Sequence, residues 1–301
     1  MTGTEAPEEF KDRLAPGKDW REIVAWVGDL PPMPHVAARA ISMVEDPDTS
    51  ASDLTKLLSS DTALAARVLK IANSAMFARQ REITTLNQAI MLIGFKALKG
   101  IIVAATLRQL NRGSGKLETM VWQNSIGTAM GCHIVAKHLG KRYVDEIFLL
   151  GLLHSLGQIV LLSQVKAEYK EVMKDIETNE KNFVEAEQDI LGFAHPLIGA
   201  LGAKKWNFSA ETCQVILHYR DPLEGDSPES ELDEKTAIVQ LGDMLAHAAE
   251  IGHPPGYPIE SELSQQVARY LGFNDPNLEE TLASLTEKLK EQYNAEAHVY
   301  G

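Results

Sequence analysis

Three histidines and one aspartate in the second half of the sequence are the side chains best suited to chemistry. Imidazole nitrogens and carboxylate oxygens bind zinc, and they also build the two-metal centres that activate water. Ligands on separate helices can converge in the core of a helical bundle. The four residues are His154, His195, His218 and Asp243. Their types predict a polar site between helices that could hold a metal ion or a small ligand.

The segments that carry these residues read as helices. Apolar residues return at intervals of three and four, and alternating strand patterns are almost absent. The helices predicted in the second half cover residues 118–139, 144–163, 182–191, 196–206, 210–219 and 232–251, and two more continue to about residue 293. The sequence therefore predicts an all-α fold.

Composition shifts along the chain predict two helical subdomains after a tail. Residues 1–19 are polar and predict a flexible N-terminal tail. The break at 111–115 contains Gly-Ser-Gly between long helical patterns, which indicates a boundary. We expect an N-terminal helical subdomain over residues 20–110. A second helical subdomain, with the C-terminal helices, is expected over residues 116–293.

The overall composition limits the class of protein. The chain has 301 residues, of which 45% are hydrophobic, and a formal net charge of −13. This length and hydrophobic content predict a folded core and exclude a disordered chain. Proteins that bind nucleic acid without specificity hold phosphates with clustered lysine and arginine. The acidic balance therefore disfavours general nucleic-acid binding.

Compartment and redox state follow from a few local features. No uninterrupted apolar run reaches the roughly 18 residues that span a bilayer. The N-terminus contains Glu5, Glu8 and Glu9, whereas a secretory signal begins with basic residues. Cys132 and Cys213 lie within apolar helical patterns, which favours reduced, buried thiols. We expect a soluble, cytoplasmic protein that does not bind membranes.

Several short motifs occur in an order and spacing that resemble one known family. They are Leu30-Pro31-Pro32-Met33-Pro34, Ala72-Asn73-Ser74, Gln88-Ala89-Ile90 with Gly94, Trp122 with Ser125, Gly151-Leu152-Leu153-His154, Glu187 with Gly192 and His195, and Trp206. Together they resemble the HDOD domain, from about residue 20 to about residue 250. The resemblance implies a helical bundle of the HD-domain type. Catalytic members of the HD superfamily hydrolyse phosphate esters, including nucleotides and cyclic dinucleotides, at a metal site.

Transferred onto this sequence, the resemblance places the superfamily's metal ligands at positions that are only partly retained. The retained ligands are His154, His195, His218 and Asp243. The aspartate of the adjacent His-Asp pair is replaced by Ser155, and the second histidine of a later pair by Tyr219. The early histidine falls near Asn124 or Ser125, and neither side chain is a comparable ligand. We therefore expect no bound metal ion and no cofactor.

The four retained residues allow other interpretations. A single weak zinc-type site made by all four is one of them, if the helices have moved together. Alternatively, His154 is a buried imidazole hydrogen-bonded to Asp243. In this interpretation His195 only helps to begin its helix. His218 lies near the C-terminal end of its helix, where a histidine interacts favourably with the helix dipole. We expect a remnant polar pocket lined by all four residues.

The resemblance and the lost ligands together predict a function. We expect a non-enzymatic bacterial signal-transduction output or adaptor module, which acts through a protein partner and could also bind a nucleotide-like ligand. A metal-dependent phosphohydrolase with an altered site is the alternative from another class. A purely structural scaffold would bind no small molecule. Gly256-Tyr257-Pro258 matches the tripeptide of the cyclic-dinucleotide-cleaving branch, but it follows Asp243 and is interpreted as a turn.

Overall fold

The described part of the chain folds into α-helices, as the sequence predicts. The computed structural model describes residues 7–74, 77, 83–110, 115–273 and 276–300, and within these ranges it contains no strand. The first half consists of α1 (Glu8–Lys11), α2 (Trp20–Asp29), α3 (His35–Glu45), α4 (Ala51–Ser59), α5 (Thr62–Ala72), α6 (Leu86–Ile93) and α7 (Phe95–Leu110). The second half consists of α8 (Lys116–His138), α9 (Val144–Leu153), α10 (Leu156–Gln164), α11 (Lys166–Asn179), α12 (Phe183–Leu191), α13 (His195–Lys205), α14 (Ala210–His218), α15 (Glu231–Ala248), α16 (Ser261–Tyr270) and α17 (Leu278–Tyr300).

Two side chains at the end of α13 hold the proline-rich stretch that follows α2. Lys205 Nζ donates to the carbonyl oxygens of Val27 at 3.1 Å and of Leu30 at 2.7 Å, at the C-terminal end of α2. Trp206 Nε1 donates to the carbonyl oxygen of Pro31 at 3.1 Å. Motifs far apart in the sequence therefore meet here and join the two halves of the chain.

The segment before α2 differs from the expected flexible tail. Phe10 is 5% exposed and stacks on Trp20, with 5.6 Å between the ring centroids. The backbone N–H of Ala15 donates to the carbonyl oxygen of Gly192 at 2.7 Å. This segment is thus attached at two points, by Phe10 to α2 and by Ala15 to the residue that follows α12. Residues 1–6 lie outside the described residues, as do residues 111–114 of the predicted break.

Helix α8 runs through the core and approaches α9 and α15 very closely. A Cβ added at Gly131 on α8 would lie 2.7 Å from the carbonyl oxygen of Gly242 on α15. A Cβ added at Gly151 on α9 would lie 2.9 Å from Cα of Ala129 on α8. Such distances are below normal van der Waals contact, so only glycine allows these backbones to pack. The close packing brings polar residues of α8, α9 and α15 within reach of one another.

The single helix predicted over 144–163 is two helices in the structure. Helix α9 ends at Leu153 and α10 begins at Leu156, because Ser155 adopts φ −91° and ψ 10°, outside the helical region. After this break α10 packs on α13 so tightly that a Cβ at Gly157 would lie 1.9 Å from the carbonyl oxygen of His195. The break therefore positions His154 and Ser155 at a turn inside the core.

The stretch from Val144 to Gln164 is apolar and long enough to cross a membrane, with a mean hydropathy of 1.7. However, 89% of the most apolar 18-residue segment of this stretch is buried inside the fold. Such burial is consistent with the core of a soluble protein.

Helices α11 and α17 differ from the helices predicted from the sequence. Helix α11 has no counterpart among the predicted helices, although its buried Tyr169, Val172, Met173 and Ile176 follow helical spacing. Helix α17 continues beyond the expected end near residue 293. Tyr300 is 2% exposed, with its hydroxyl 3.4 Å from Ser74 Oγ, so the last helix contacts the first half of the chain.

The close approach of α10 and α13 predicts a large effect of adding one methyl group. Gly157→Ala should lower the free energy of unfolding by at least about 3 kcal/mol, because the new Cβ meets backbone atoms that cannot move aside. Gly28→Ala on α2 is the control, since nothing lies within 4 Å of its Cβ position, and it should stay within about 1 kcal/mol of the wild type. Urea unfolding followed by circular dichroism measures both, and equal stability of the two variants would contradict the packing.

Candidate functional site

Asp243, on α15, is the centre of a buried polar network. Its side chain is 4% exposed. On Oδ1, Asn124 Nδ2 donates at 3.2 Å and Thr128 Oγ1 donates at 3.3 Å, while His154 Nε2 lies 3.4 Å away. On Oδ2, Arg220 Nη1 donates at 3.5 Å. Both carboxylate oxygens are thus engaged by side chains from other helices or loops.

The surroundings keep the Asp243 carboxyl ionised in spite of its burial. Burial alone would raise its pKa, because a low-dielectric interior disfavours charge. Attraction to the His247 ring when it is protonated, the hydrogen bond with His154 and the charge of Arg220 together more than offset burial, so the pKa of Asp243 is well below its ordinary value of 3.8. The centre of the network is therefore a permanent negative charge.

Arg220 supplies a fixed positive charge beside this carboxylate. Its side chain is 8% exposed, and Nη2 donates to Glu260 Oε1 at 2.8 Å. Burial opposes the charge, but Tyr257, Glu260 and Asp243 raise the pKa of Arg220 above its ordinary value. The guanidinium therefore bridges two carboxylates in the interior. Arg220 is not among the residues predicted from the sequence, although it directly follows Tyr219, one of the positions that the resemblance assigns to a ligand.

His195 belongs to a second buried network beside the first. Its Nδ1 lies 2.7 Å from Glu187 Oε2, and its Nε2 lies 2.5 Å from the hydroxyl of Tyr219. Glu187 is fully buried and also accepts a hydrogen bond of 2.7 Å from the Tyr169 hydroxyl. The ring of Tyr219 packs edge-on against His154, with centroids 5.3 Å apart. Tyr219 therefore joins the two networks.

His218 does not join the other three expected site residues. Its side chain is 40% exposed, and its Nδ1 faces Asp221 Oδ2 at 2.7 Å and Arg13 Nη2 at 2.9 Å. His218 and Tyr219 are neighbours at the end of α14, and successive helical residues point about 100° apart. Because Tyr219 points into the core, His218 points out of it. The expectation of one pocket lined by all four residues is therefore wrong for His218.

The metal-binding nitrogens of the two buried histidines are occupied by protein groups. Nε2 of His154 is 2.9 Å from Asn124 Oδ1, and Nε2 of His195 is hydrogen-bonded to the Tyr219 hydroxyl. The resemblance places one of the superfamily's histidines near Asn124 or Ser125 and another at Tyr219. Within residues 7–74, 77, 83–110, 115–273 and 276–300, no group of three or more His, Cys, Asp or Glu side chains has the geometry to hold a metal ion.

Ser155, at the position where the resemblance implies an aspartate, also has a protein partner. Ser155 is fully buried, and its hydroxyl is hydrogen-bonded to the hydroxyl of Ser125 on α8. A neutral hydroxyl pair cannot bridge two cations as a carboxylate does. Together with the occupied imidazoles, this means that the residues present do not fit a two-metal centre.

His247 on α15 and Tyr257 form an aromatic contact beside the Asp243 network. His247 lies one helical turn after Asp243, and its ring is 4.2 Å from that of Tyr257. Its Nδ1 is buried and has no hydrogen-bond partner among the described residues. Burial lowers the pKa of His247 to about 4. The four-residue spacing between Asp243 and His247 places both side chains on one face of α15 and is the sequence signal for this residue.

Comparison with known proteins identifies the family. The family model described as HDOD domain matches residues 30–222, more than half of the chain. This chain belongs to the HDOD domain family. An uncharacterised protein of Treponema pallidum (strain Nichols) is 25% identical over 207 residues, which are 65% of this chain and 39% of that protein. The HDOD chain thus spans well under half the length of this curated relative.

Solved structures share the HDOD fold. An HDOD domain protein of unknown function from Geobacter sulfurreducens has a TM-score of 0.76 at 24% identity, covering 93% of this chain and 96% of that one. A candidate phosphohydrolase from Shewanella amazonensis SB2B has a TM-score of 0.69 at 23% identity, covering 92% and 96%. A candidate signal transduction protein from Marinobacter aquaeolei VT8 has a TM-score of 0.67 at 21% identity, covering 93% and 65%.

The buried His247 predicts how the stability of this HDOD chain depends on pH. Its pKa is about 4 in the folded state and near its ordinary 6.5 when unfolded. The unfolded state therefore binds the extra proton first, and the stability present above pH 6.5 is lost as the pH falls toward 4. The loss should be on the order of 3 kcal/mol.

Urea unfolding at a series of pH values between 7 and 4 measures this loss. His247→Gln should remove about half of the dependence, because His133, whose pKa burial also lowers to about 4, contributes a comparable loss. His35→Gln is the control, because His35 is exposed at the start of α3 and its loss should leave the dependence unchanged. The same steep dependence in His247→Gln as in the wild type would contradict the assignment.

Proposed function

We propose that this HDOD chain is a non-enzymatic signal-transduction output or adaptor module, built on a degenerate HD phosphohydrolase fold. The observation that carries the proposal is the contact of the Arg220 guanidinium with Asp243, the retained carboxylate of the superfamily's metal site. The side chain of Arg220 fills space beside this carboxylate and neutralises it from within the protein. The HD-type site has become a structural ion pair.

The chemistry of arginine supports this interpretation. A catalytic metal ion keeps an open coordination position, where it lowers the pKa of a bound water to make a nucleophile. A guanidinium offers only N–H donors, stays protonated and binds no nucleophilic water in that way. Arg220 therefore compensates the charge of Asp243 as a metal ion would, but it cannot activate a water molecule to attack a phosphate ester.

Burial of the network supports it as well. His154, His195 and Asp243 are 1%, 2% and 3% exposed. A general base must come within hydrogen-bonding distance of the proton that it removes, directly or through one water. Side chains packed this deeply, each already bonded to a protein group, do not present such a base to a substrate. Their arrangement serves to lock α8, α9, α13 and α15 together.

The proposed setting is the bacterial cytoplasm, and the proposed partner is a protein. Cys132 and Cys213 are free thiols, which is usual in a reducing compartment. The Marinobacter relative is named as a candidate signal transduction protein, and the Shewanella relative as a candidate phosphohydrolase. The occupied metal-ligand positions of this chain favour the signalling role. A nucleotide-like ligand would need a site other than the buried network.

Restoring the lost aspartate tests the proposed function. Ser155→Asp should not confer hydrolysis of a cyclic dinucleotide or of bis(p-nitrophenyl) phosphate in the presence of Mn²⁺, because Asn124 and Tyr219 still occupy the two imidazoles. The new carboxylate would lie uncompensated in the core, so the free energy of unfolding should fall by about 3 kcal/mol. Thermal unfolding with and without Mn²⁺, together with the two assays, measures both effects.

A matched substitution on the same helix controls for the introduced charge. Ser163 on α10 is exposed, so Ser163→Asp should leave the melting temperature close to that of the wild type. Turnover by the wild type, or stabilisation of Ser155→Asp by Mn²⁺ accompanied by turnover, would contradict the proposal and favour a metal-dependent phosphohydrolase.

A further inference from the structure

A cavity of about 600 Å³ lies on the outer side of α14 and α15, apart from the buried networks. Its walls come from the end of α14, the loop over residues 219–230, the first half of α15 and the end of α16. The volume is within the range of about 300–1,000 Å³ that is usual for ligand pockets. The outward-facing His218 is at its edge.

The charge of this cavity is strongly negative. The carboxylates of Asp221, Glu224, Glu229 and Asp233 all line it. Within the described part of the chain, Glu224 and Glu229 form no ion pair with lysine or arginine, so their charges are not compensated. Tyr270 lines the same cavity, and its pKa is raised by burial and then by the charges of Asp233, Glu229 and Glu224. A phosphate or another anion would be repelled here.

A buried amide gives the cavity a hydrogen-bond acceptor that is not used by the fold. Gln240 is 3% exposed and lines the cavity. Its Nε2 donates to the carbonyl oxygen of Asp221 at 3.5 Å, whereas its Oε1 accepts no hydrogen bond from the described residues. Oε1 is not among the fully buried atoms without a partner, so it is open to solvent and to a donor from a ligand. The apolar part of the lining, Leu223, Leu232 and the Tyr270 ring, suits an alkyl stem or a planar group.

The protein already places one arginine at the edge of this cavity. Arg13 Nη1 donates to Asp221 Oδ1 at 2.6 Å, its Nη2 is hydrogen-bonded to Asp221 Oδ2, and the same Nη2 lies 2.9 Å from His218 Nδ1. This bidentate contact shows that the edge accommodates a guanidinium. Glu224, Glu229 and Gln240 remain available to bind a second guanidinium.

We propose that this cavity is a docking site for an arginine side chain from a basic segment of a partner protein. The guanidinium would donate to the carboxylates of Glu224 and Glu229 and to Gln240 Oε1, while its stem packs on the apolar lining. The inference rests on the proposed adaptor function, for which it names the chemistry of the partner. The lining of this surface includes none of the retained HD residues Asp243, His154 and His195.

Calorimetric titration of the full chain with a glycine-flanked peptide carrying two arginines tests the proposal. Binding should weaken as salt is raised, and a matched peptide with neutral citrulline in place of arginine should not bind, because citrulline has nearly the same shape without the charge. Glu224→Gln combined with Glu229→Gln should weaken binding of the arginine peptide by at least about tenfold. Gln240→Leu should weaken it as well, which distinguishes the cavity from diffuse attraction to an acidic protein.

The control variant removes the same number of charges elsewhere. Glu171→Gln combined with Glu177→Gln changes two exposed carboxylates on α11, outside the cavity lining, and should leave the affinity within about twofold of the wild type. Equal weakening by both double variants, binding of the citrulline peptide, or no binding of the arginine peptide would overturn the proposal. Metal-dependent turnover would instead overturn the proposed function and leave the peptide titration unchanged, so the two failures are distinguishable.

Discussion

A buried carboxylate needs a positive charge nearby, and in this protein the charge beside Asp243 is the guanidinium of Arg220. An ionised aspartate without a partner in the interior would cost several kcal/mol, and its pKa would rise until it became neutral. Arg220 prevents this and is itself shared with Glu260. The surrounding helices are arranged around this pair, since the glycine contacts of α8 with α15 allow Asn124 to reach Asp243.

The same arrangement supports the proposal that this HD-type fold persists without metal-dependent chemistry. Two residues near positions that the resemblance assigns to lost ligands bond to retained histidines, Asn124 to His154 and Tyr219 to His195. The replacements satisfy the retained histidines and rigidify the core. Function is then expected at the surface, where the loop after α14 combines His218 with uncompensated carboxylates.

Much of the fold could be predicted from the sequence, because helical periodicity and the motif order depend on local pattern and spacing. The contact of His154 with Asp243 also follows from the retained motifs. Three features depend on tertiary packing instead. The inward turn of Tyr219 excludes His218 from the core, the break at Ser155 follows from its contact with α8, and the role of Arg220 appears only once Asp243 and Glu260 lie on either side of it.

A double-mutant cycle on Arg220 and Asp243 tests most directly whether an arginine has taken over the charge balance of the former metal site. Arg220→Met alone and Asp243→Asn alone should each lower the free energy of unfolding by about 3–5 kcal/mol, because each leaves a buried partner without its countercharge. The double variant should be destabilised by clearly less than the sum of the two single variants, with a coupling of at least about 1 kcal/mol. Additive losses, or an Arg220→Met variant as stable as the wild type, would contradict the account.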